Sequence, residues 1–431
     1  MGHVINYRLI RLYANVVAFR GRTKGERRKI RGKILQAYTD KAYTIAQFKG
    51  TESSLPDRAL PAAVLESRIF SRAQDILFPR EVETAEKIMV FVVPEHNEMS
   101  GGIFSMFSIA NQMRLFKSIH GYEIIMLTRP NPECLTFLRQ TCFRNAETVF
   151  RFEQLLRCAN ARDIYMHLPE YASEYLMWDL SDDAKNFLQN LDTLHINLLN
   201  QNIWLMPERE KFESLFELTD NVTQSVAHHA YFSQEYTDRY NIPSLLLPAY
   251  TDLGEYTPTD FKDKENLIIY SLDDAPHKEQ VLERISRELP QYRLLEIRNI
   301  TFDKYMEYAT RCRFSISFGE GFDGYVAQPI HMGGIGLTVY NDEFFPSDHF
   351  LNYRNIFKSA DDMVENIVDT IRDLAADGRA YTELNRAFCA EYDMLYSIKE
   401  YREQVKKLAL KQFELLPTKD HEVRRNHVLA S

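Results

Sequence analysis

The 431-residue chain has only five cysteines, at 134, 142, 158, 312 and 389, and no two of them stand in a Cys-x-x-Cys pair. An odd, scattered set suits reduced thiols in a cytosolic protein and argues against a disulfide framework and a zinc site, so no metal is expected. Long apolar runs are missing too. None approaches the roughly 18 residues of a membrane span, and the amino terminus lacks the apolar core of a secretory leader, so a cytoplasmic protein is expected. The formal net charge is −9, opposite in sign to the surface of a general nucleic-acid binder, and no nucleic-acid partner is expected. Several catalytic signatures are absent. There is no Gly-x-Ser-x-Gly, no His-Glu-x-x-His, no Gly-x-x-x-x-Gly-Lys-Ser/Thr and no Asp-x-Asp, which removes the simplest hydrolase, zincin and P-loop readings.

What the chain does have is 45% hydrophobic and 12% aromatic content, enough for sizeable cores over two to three domains. Ile88 to Val93 is a continuous apolar run, as in a strand buried on both faces. Gly101 and Gly102 follow, then an apolar stripe at Ile103, Met106, Phe107, Ala110 and Met113, then a second strand pattern from Glu123 to Thr128. Strand, glycine turn, helix and strand make a Rossmann-like unit. This first unit carries no Gly-x-Gly-x-x-Gly, so it is not a dinucleotide fingerprint. Further strands are expected at 163–166, 194–199, 222–226 and 245–247, and, after a linker, at 267–270, 293–297, 314–318 and 336–340. An α/β protein of two such domains follows, with a helical tail rich in Glu, Lys, Leu and Ala.

Charge is uneven. Residues 1 to 33 hold ten Lys or Arg against one acid, Glu26. With apolar positions at helical spacing before the basic cluster, this reads as a basic helical extension. Residues 4–33 either dock on the anionic inner leaflet or pack on the body with their basic face in water.

The most informative segment lies between two apolar runs: Gly319-Glu320-Gly321-Phe322-Asp323-Gly324-Tyr325, followed by Gln328. An acid in a glycine-rich loop after a strand suits hydroxyl recognition, and a helix opening near Tyr325 would aim its positive end at a phosphate. The plainer reading of Glu320 is a carboxylate capping that helix. The segment resembles the carboxyl-half signature of the family 4 glycosyltransferases, retaining enzymes of GT-B fold, in which a glutamate, a Gly-Phe-Gly turn and a second glutamate eight positions on hold the donor. Here Gln328 replaces the second acid and Asp323 stands where the family usually has glycine. A further departure is Ser271-Leu272 in place of a Gly-Arg pair.

The resemblance implies the GT-B fold, two facing Rossmann-like domains with a helical amino-terminal extension. Its divisions are 1–85, extension and connector; 86–252, acceptor domain; 253–385, nucleotide-sugar donor domain; and 386–431, a tail packing back towards the first domain. It implies Glu320 and His167 as catalytic residues, and Lys278, Arg298, Gly321, Phe322, Asp323, Gly324, Tyr325 and Gln328 as donor-binding. Gly101, Gly102 and His96 would form the acceptor and diphosphate loop. Read without the resemblance, Lys278 is a solvated lysine, His167 an ordinary strand-end residue and the glycines a matter of backbone geometry. Tyr165, Tyr171, Tyr175, Trp178 and Trp204 would suit a saccharide, although aromatic residues more commonly pack cores. The implied activity is metal-independent transfer of a hexose or deoxyhexose, with retention, from a nucleotide-sugar to a saccharide or lipid-linked glycan in surface polysaccharide assembly. No cofactor is implied beyond that co-substrate. The alternative is a non-catalytic GT-B partner of another glycosyltransferase.

Overall fold

The computed structural model describes residues 7–21, 23–48, 60–61, 64–65, 72, 75–94, 101–130, 138–139, 148–251, 253–298 and 300–418. The chain divides into two compact units, one of residues 1–78 with 133–137 and the other of residues 79–132 with 138–431.

Among the described residues of the smaller unit are the helices Tyr7–Ala18 and Lys24–Phe48. The second is started by a reciprocal cap. Glu26 N–H donates to Thr23 Oγ1 and Thr23 N–H to Glu26 Oε2, each at 3.1 Å, which satisfies amides that the first helical turn leaves unpaired. Arg27 turns back to the connection, donating from Nε to the Gly21 carbonyl at 2.8 Å. Leu12, Tyr13, Val16 and Phe19 are exposed.

The larger unit contains two sheets. The first is built from β1 (Lys87–Val93), β2 (Glu123–Thr128), β3 (Leu138–Arg139), β4 (Thr148–Phe150), β5 (Asp163–Pro169), β6 (Thr193–Asn200), β7 (Val222–Val226) and β8 (Ser244–Leu246), in the order β3-β4-β2-β1-β5-β6-β7-β8. Only the β3–β4 pair is antiparallel. Every residue of β1 after Lys87 is buried, because a parallel sheet covered on both faces leaves no wet side for alternation. The helix Gly101–Leu115 lays Ile103, Met106, Phe107, Ala110 and Met113 into this core, and the carboxyl-terminal helix Ile398–Ala409 adds Tyr401, Val405 and Leu408 to the same cluster. Tyr165 of β5 donates from its hydroxyl to the Leu408 carbonyl at 3.1 Å. The tail is therefore part of the first domain's core.

The second sheet consists of β9 (Glu265–Tyr270), β10 (Arg293–Glu296), β11 (Cys312–Ile316), β12 (Ile335–Val339) and β13 (Ile356–Phe357), all parallel, in the order β10-β9-β11-β12-β13. Ile268, Phe314, Ile316 and Leu337 meet Val281 and Ile285 of the helix Lys278–Glu288 and Ile367 and Ile371 of the helix Ala360–Ala376. The short strands β3, β4 and β13 were not expected from sequence, since two or three residues carry no readable period.

Each sheet reverses its winding once, between β1 and β5 in the first and between β9 and β11 in the second. In open α/β sheets the crevice for a ligand lies beyond the carboxyl ends of the strands at such a reversal. Here the two reversals open onto one shared cleft, which is the GT-B arrangement. Among the described residues, no helix is long and apolar enough to cross a membrane.

Candidate functional site

The cleft has a volume of about 1020 Å³ and draws its walls from both reversal points. From the first sheet come Pro94, Gly101 and Gly102 after β1, Pro169 and Glu170 at the end of β5, Gln201 and Asn202 after β6, and His228 after β7. From the second come Asp273 and Asp274 after β9, and Gly319, Glu320 and Asp323 after β11.

One residue, Asn202, joins the two walls. Asn202 donates from Nδ2 to Glu320 Oε1 over a long 3.4 Å, and its backbone N–H donates to Glu170 Oε1 at 3.1 Å. Glu170 is only 4% exposed. Burial pushes its carboxyl up to about 7, against the opposing pull of backbone amides that include those of Asn202 and Gln201. Burial, with Asp323, Asp273 and Glu170 nearby, pushes Glu320 up to about 8. A carboxylic acid that keeps its proton near neutral pH can donate a hydrogen bond as well as accept one. Two carboxyl groups from opposite domains thus meet one residue, Asn202, and burial raises the pKa of both towards neutrality.

The anion site expected at the helix Gly324–His331 is already engaged. Asp323 is the N-cap of this helix, its Oδ1 accepting from Tyr325 N–H at 2.8 Å and Val326 N–H at 3.3 Å. Its other oxygen takes the Ser317 hydroxyl. An aspartate here satisfies the same amides that a phosphate would need, so Asp323 acts as the cap of this helix. Residues 319–324 do have Gly-x-Gly-x-x-Gly spacing, a signal that the sequence reading, applied to the first unit alone, does not use. Asp323 leaves that loop without the free helix terminus that a pyrophosphate requires. Gly321 has φ +83°, and a Cβ there would lie 2.9 Å from the Val339 carbonyl oxygen. This glycine serves backbone geometry. Phe322 anchors the loop by stacking on Tyr392 at 4.7 Å between centroids. Gly324, Tyr325 and Gln328 line the cleft. Tyr305 donates from its hydroxyl to the Gly324 carbonyl at 2.7 Å and lies 3.4 Å from Gln328 Oε1.

Lys278 is not a free cation. Its Nζ donates to the carbonyls of Ser271, Leu272 and Asp273 at 3.0, 3.0 and 2.9 Å and lies 3.5 Å from Glu296 Oε1. Arg298 pairs with the other oxygen of Glu296 at 2.8 Å. Neither lines the cleft, so both donor-binding assignments are corrected. The sequence hid this because the partners of Lys278 are backbone carbonyls, which every residue supplies. His167 is corrected as well. It is fully buried within β5, stacked on Phe91 at 4.5 Å and tilted against Tyr165 at 4.3 Å. Burial drives its pKa well down, with His195, Lys411 and His120 adding to the effect. The acid that reaches the cleft here is Glu170, directly after β5 and three positions beyond His167; a search for acids at reversal-point strand ends would have found it.

Gly102 is where the first wall closes up, since a Cβ there would lie 2.8 Å from Gln201 Oε1. His96 falls outside the described residues. Of the expected aromatics, Tyr171 and Trp204 line the cleft, Tyr165 is core, and Tyr175 and Trp178 are exposed away from it. Tyr250, Tyr392 and Tyr396 join the lining. Among the described residues the cleft wall has five carboxyl groups and no Lys or Arg, and its two histidines, His228 and His331, are held by burial below their ordinary pKa.

No protein-family profile and no curated protein matches the sequence. Among solved structures, the chain is similar in outline to S. aureus MnaA in complex with UDP, at 10% identity over 77% of this chain and 99% of that one, with a TM-score of 0.46. It is similar to UDP-GlcNAc 2-epimerase from Neisseria meningitidis bound to UDP-GlcNAc, at 8% identity over 76% and 100% with a TM-score of 0.43. A third likeness is to a glycosyltransferase from Rickettsia africae, at 11% identity over 80% and 98% with a TM-score of 0.41. These are likenesses of outline, and the residues above define the site.

Proposed function

We propose that this chain is a glycosyltransferase of GT-B fold that moves a sugar from a nucleotide-activated donor to a saccharide or lipid-linked glycan. The supporting observation is the meeting of Glu320 and Glu170 at Asn202, in the crevice where both sheets reverse. In this reading the donor sugar lies against Glu320, Tyr325 and Gln328, and the acceptor against Gly101, Gly102 and Glu170, with the rings of Tyr171 and Trp204 taking sugar C–H faces. The acceptor oxygen forms the new bond to the anomeric carbon, the bond to the diphosphate breaks, and the acceptor proton passes to a carboxylate or a leaving phosphate oxygen. A carboxyl group titrating near pH 7 suits that exchange.

Retention, metal-independent transfer of a hexose or deoxyhexose, and a place in surface polysaccharide assembly at the inner membrane face come from the family resemblance. The exposed Leu12, Tyr13, Val16 and Phe19, beside a basic run, support surface docking of the amino-terminal helices. Calorimetry with UDP, GDP, dTDP and their sugar conjugates, followed by mass-spectrometric detection of product on purified glycans, tests the reading. Saturable binding of one conjugate, with turnover cut by about 100-fold or more in Glu320→Gln, is expected. Unchanged turnover in both Glu320→Gln and Glu170→Gln would refute it.

A second reading is favoured by a cleft wall without Lys or Arg among its described residues and by the engaged Lys278: a non-catalytic, sugar-binding subunit of another transferase. It expects saturable binding without turnover by the chain alone.

A further inference from the structure

Behind the cleft, where the helix Gly324–His331 meets the helix Gly378–Leu395, three side chains of different chemistry converge. One ligand atom from each of His331, Cys389 and Asp393 lies within 4.8 Å of the other two. Cys389 Sγ is 3.3 Å from His331 Nδ1 and 4.0 Å from Asp393 Oδ2, and His331 Nε2 is 3.9 Å from Asp393 Oδ1. Cys389 and Asp393 are four residues apart on one helix and so share a face, while His331 reaches them from the last turn of the other.

From this geometry we propose that His331, Cys389 and Asp393 bind one divalent cation of the zinc class, a site independent of the transfer reading. Zinc holds sulfur at about 2.3 Å and nitrogen at about 2.0–2.1 Å, so tetrahedral bonding sets those two ligands about 3.5 Å apart. The observed sulfur–nitrogen separation already approximates that edge. The Asp393 side chain is 67% exposed, free to swing inward and leaving the fourth position to water. Thiolate, imidazole and carboxylate together select zinc or cobalt over magnesium or calcium, which prefer all-oxygen sets. On binding, the Cys389 S–H bond breaks, the proton passes to solvent, and the sulfur lone pair forms the bond to the metal. One thiolate and one carboxylate then balance the double positive charge.

The consequence reaches the cleft. His331 is itself a lining residue, and its ring packs edge-on against Tyr392 at 5.8 Å, the same Tyr392 that stacks on Phe322. A bound cation would pin the end of the helix carrying Gln328 to the helix carrying Tyr392. The 58-residue separation of Cys389 from His331 fits no metal motif, so the spacing that argues against zinc in the sequence does not see this site.

The test is cobalt titration of the full chain after EDTA treatment. One equivalent of Co²⁺ should bind with a thiolate-to-cobalt charge-transfer band in the near ultraviolet. Cys389→Ser should abolish the band, and Asp393→Asn should weaken cobalt affinity by about tenfold or more. No band in excess cobalt would overturn the proposal, as would an equal band in Cys389→Ser, which would assign the signal to another cysteine. If Cys389→Ser fails to fold by circular dichroism, Asp393→Asn decides, and unchanged affinity there overturns the site.

Discussion

Replacing Lys278 by methionine separates a structural lysine from a ligand-binding one. Methionine keeps an aliphatic stem beside the rings of Tyr270 and Phe318, over which Nζ now sits at 5.5 and 5.6 Å, and removes the charge and its donors. Three carbonyls at the end of β9 then lose their shared partner. A hydrogen bond to a charged group contributes about 1.5–3 kcal/mol, but the losses do not add, because freed carbonyls find water and Leu272 is already 45% exposed. The side chain of Lys278 is 12% exposed, which places the change between a surface pair and a buried one, a fall of about 2–4 kcal/mol in stability. Urea unfolding followed by circular dichroism reads the total. Hydrogen exchange reads the locality, since the Phe318 amide donates to Ser271 Oγ at 2.9 Å and the Ser271 amide to the Ile316 carbonyl at 3.0 Å, and both should exchange faster. Arg298→Met, at a side chain 55% exposed, should cost less than about 1 kcal/mol. A Lys278→Met protein within about 0.5 kcal/mol of the parent, with nucleotide binding lost, would refute the structural assignment and return Lys278 to the donor site.

Three further outcomes follow from the cleft and its loop. The folded pKa of Glu320, about 8, lies above its ordinary 4.5, so between those values the folded state holds a proton that the unfolded state has released. Stability should therefore fall as pH rises from about 4.5 to about 8, and Glu320→Gln should flatten that slope in melting curves; a slope unchanged in the variant contradicts the burial of this carboxyl. Gly321→Ala forces a side chain into φ +83° and to 2.9 Å from a backbone carbonyl, and should destabilise by about 2–4 kcal/mol in the same urea assay, with full stability counting against the loop geometry. Asn202→Ala removes the side-chain bond to Glu320 but keeps the backbone bond to Glu170. It should alter the pH profile of turnover more than the binding of donor, and an unchanged profile would uncouple the two carboxyl groups.

The two-domain α/β fold was legible because parallel strands covered on both faces write themselves as unbroken apolar runs. Ile88–Val93 and the run ending at Phe318 are of this kind. The position of Glu320 in the cleft was legible for a local reason, an acid in a glycine loop between a strand and a helix. Its partner Glu170 was not, since the pairing depends on the order in which strands lie in two sheets and on how β6 ends at Asn202. Likewise Lys278, Asp323 and His167, scattered along the chain, have residue types that fit phosphate binding, hydroxyl binding and catalysis. Packing assigns them instead to a carbonyl cage, a helix cap and an aromatic stack.

Sequence by itself determined where the longer core strands form, since burial period and turn residues act over a few positions. It also determined the charge contrast between the basic amino-terminal helices and an acidic whole. Only the tertiary structure decided which charges remain free to meet a ligand, because a side chain's partner is set by long-range approach. Lys278 and Arg298 share one carboxylate, Glu170 and Glu320 meet the same asparagine, and His331 meets a cysteine from a helix distant in sequence. Electrostatic and hydrogen-bonding energies depend on those separations, and separation in space is not written in the order of residues.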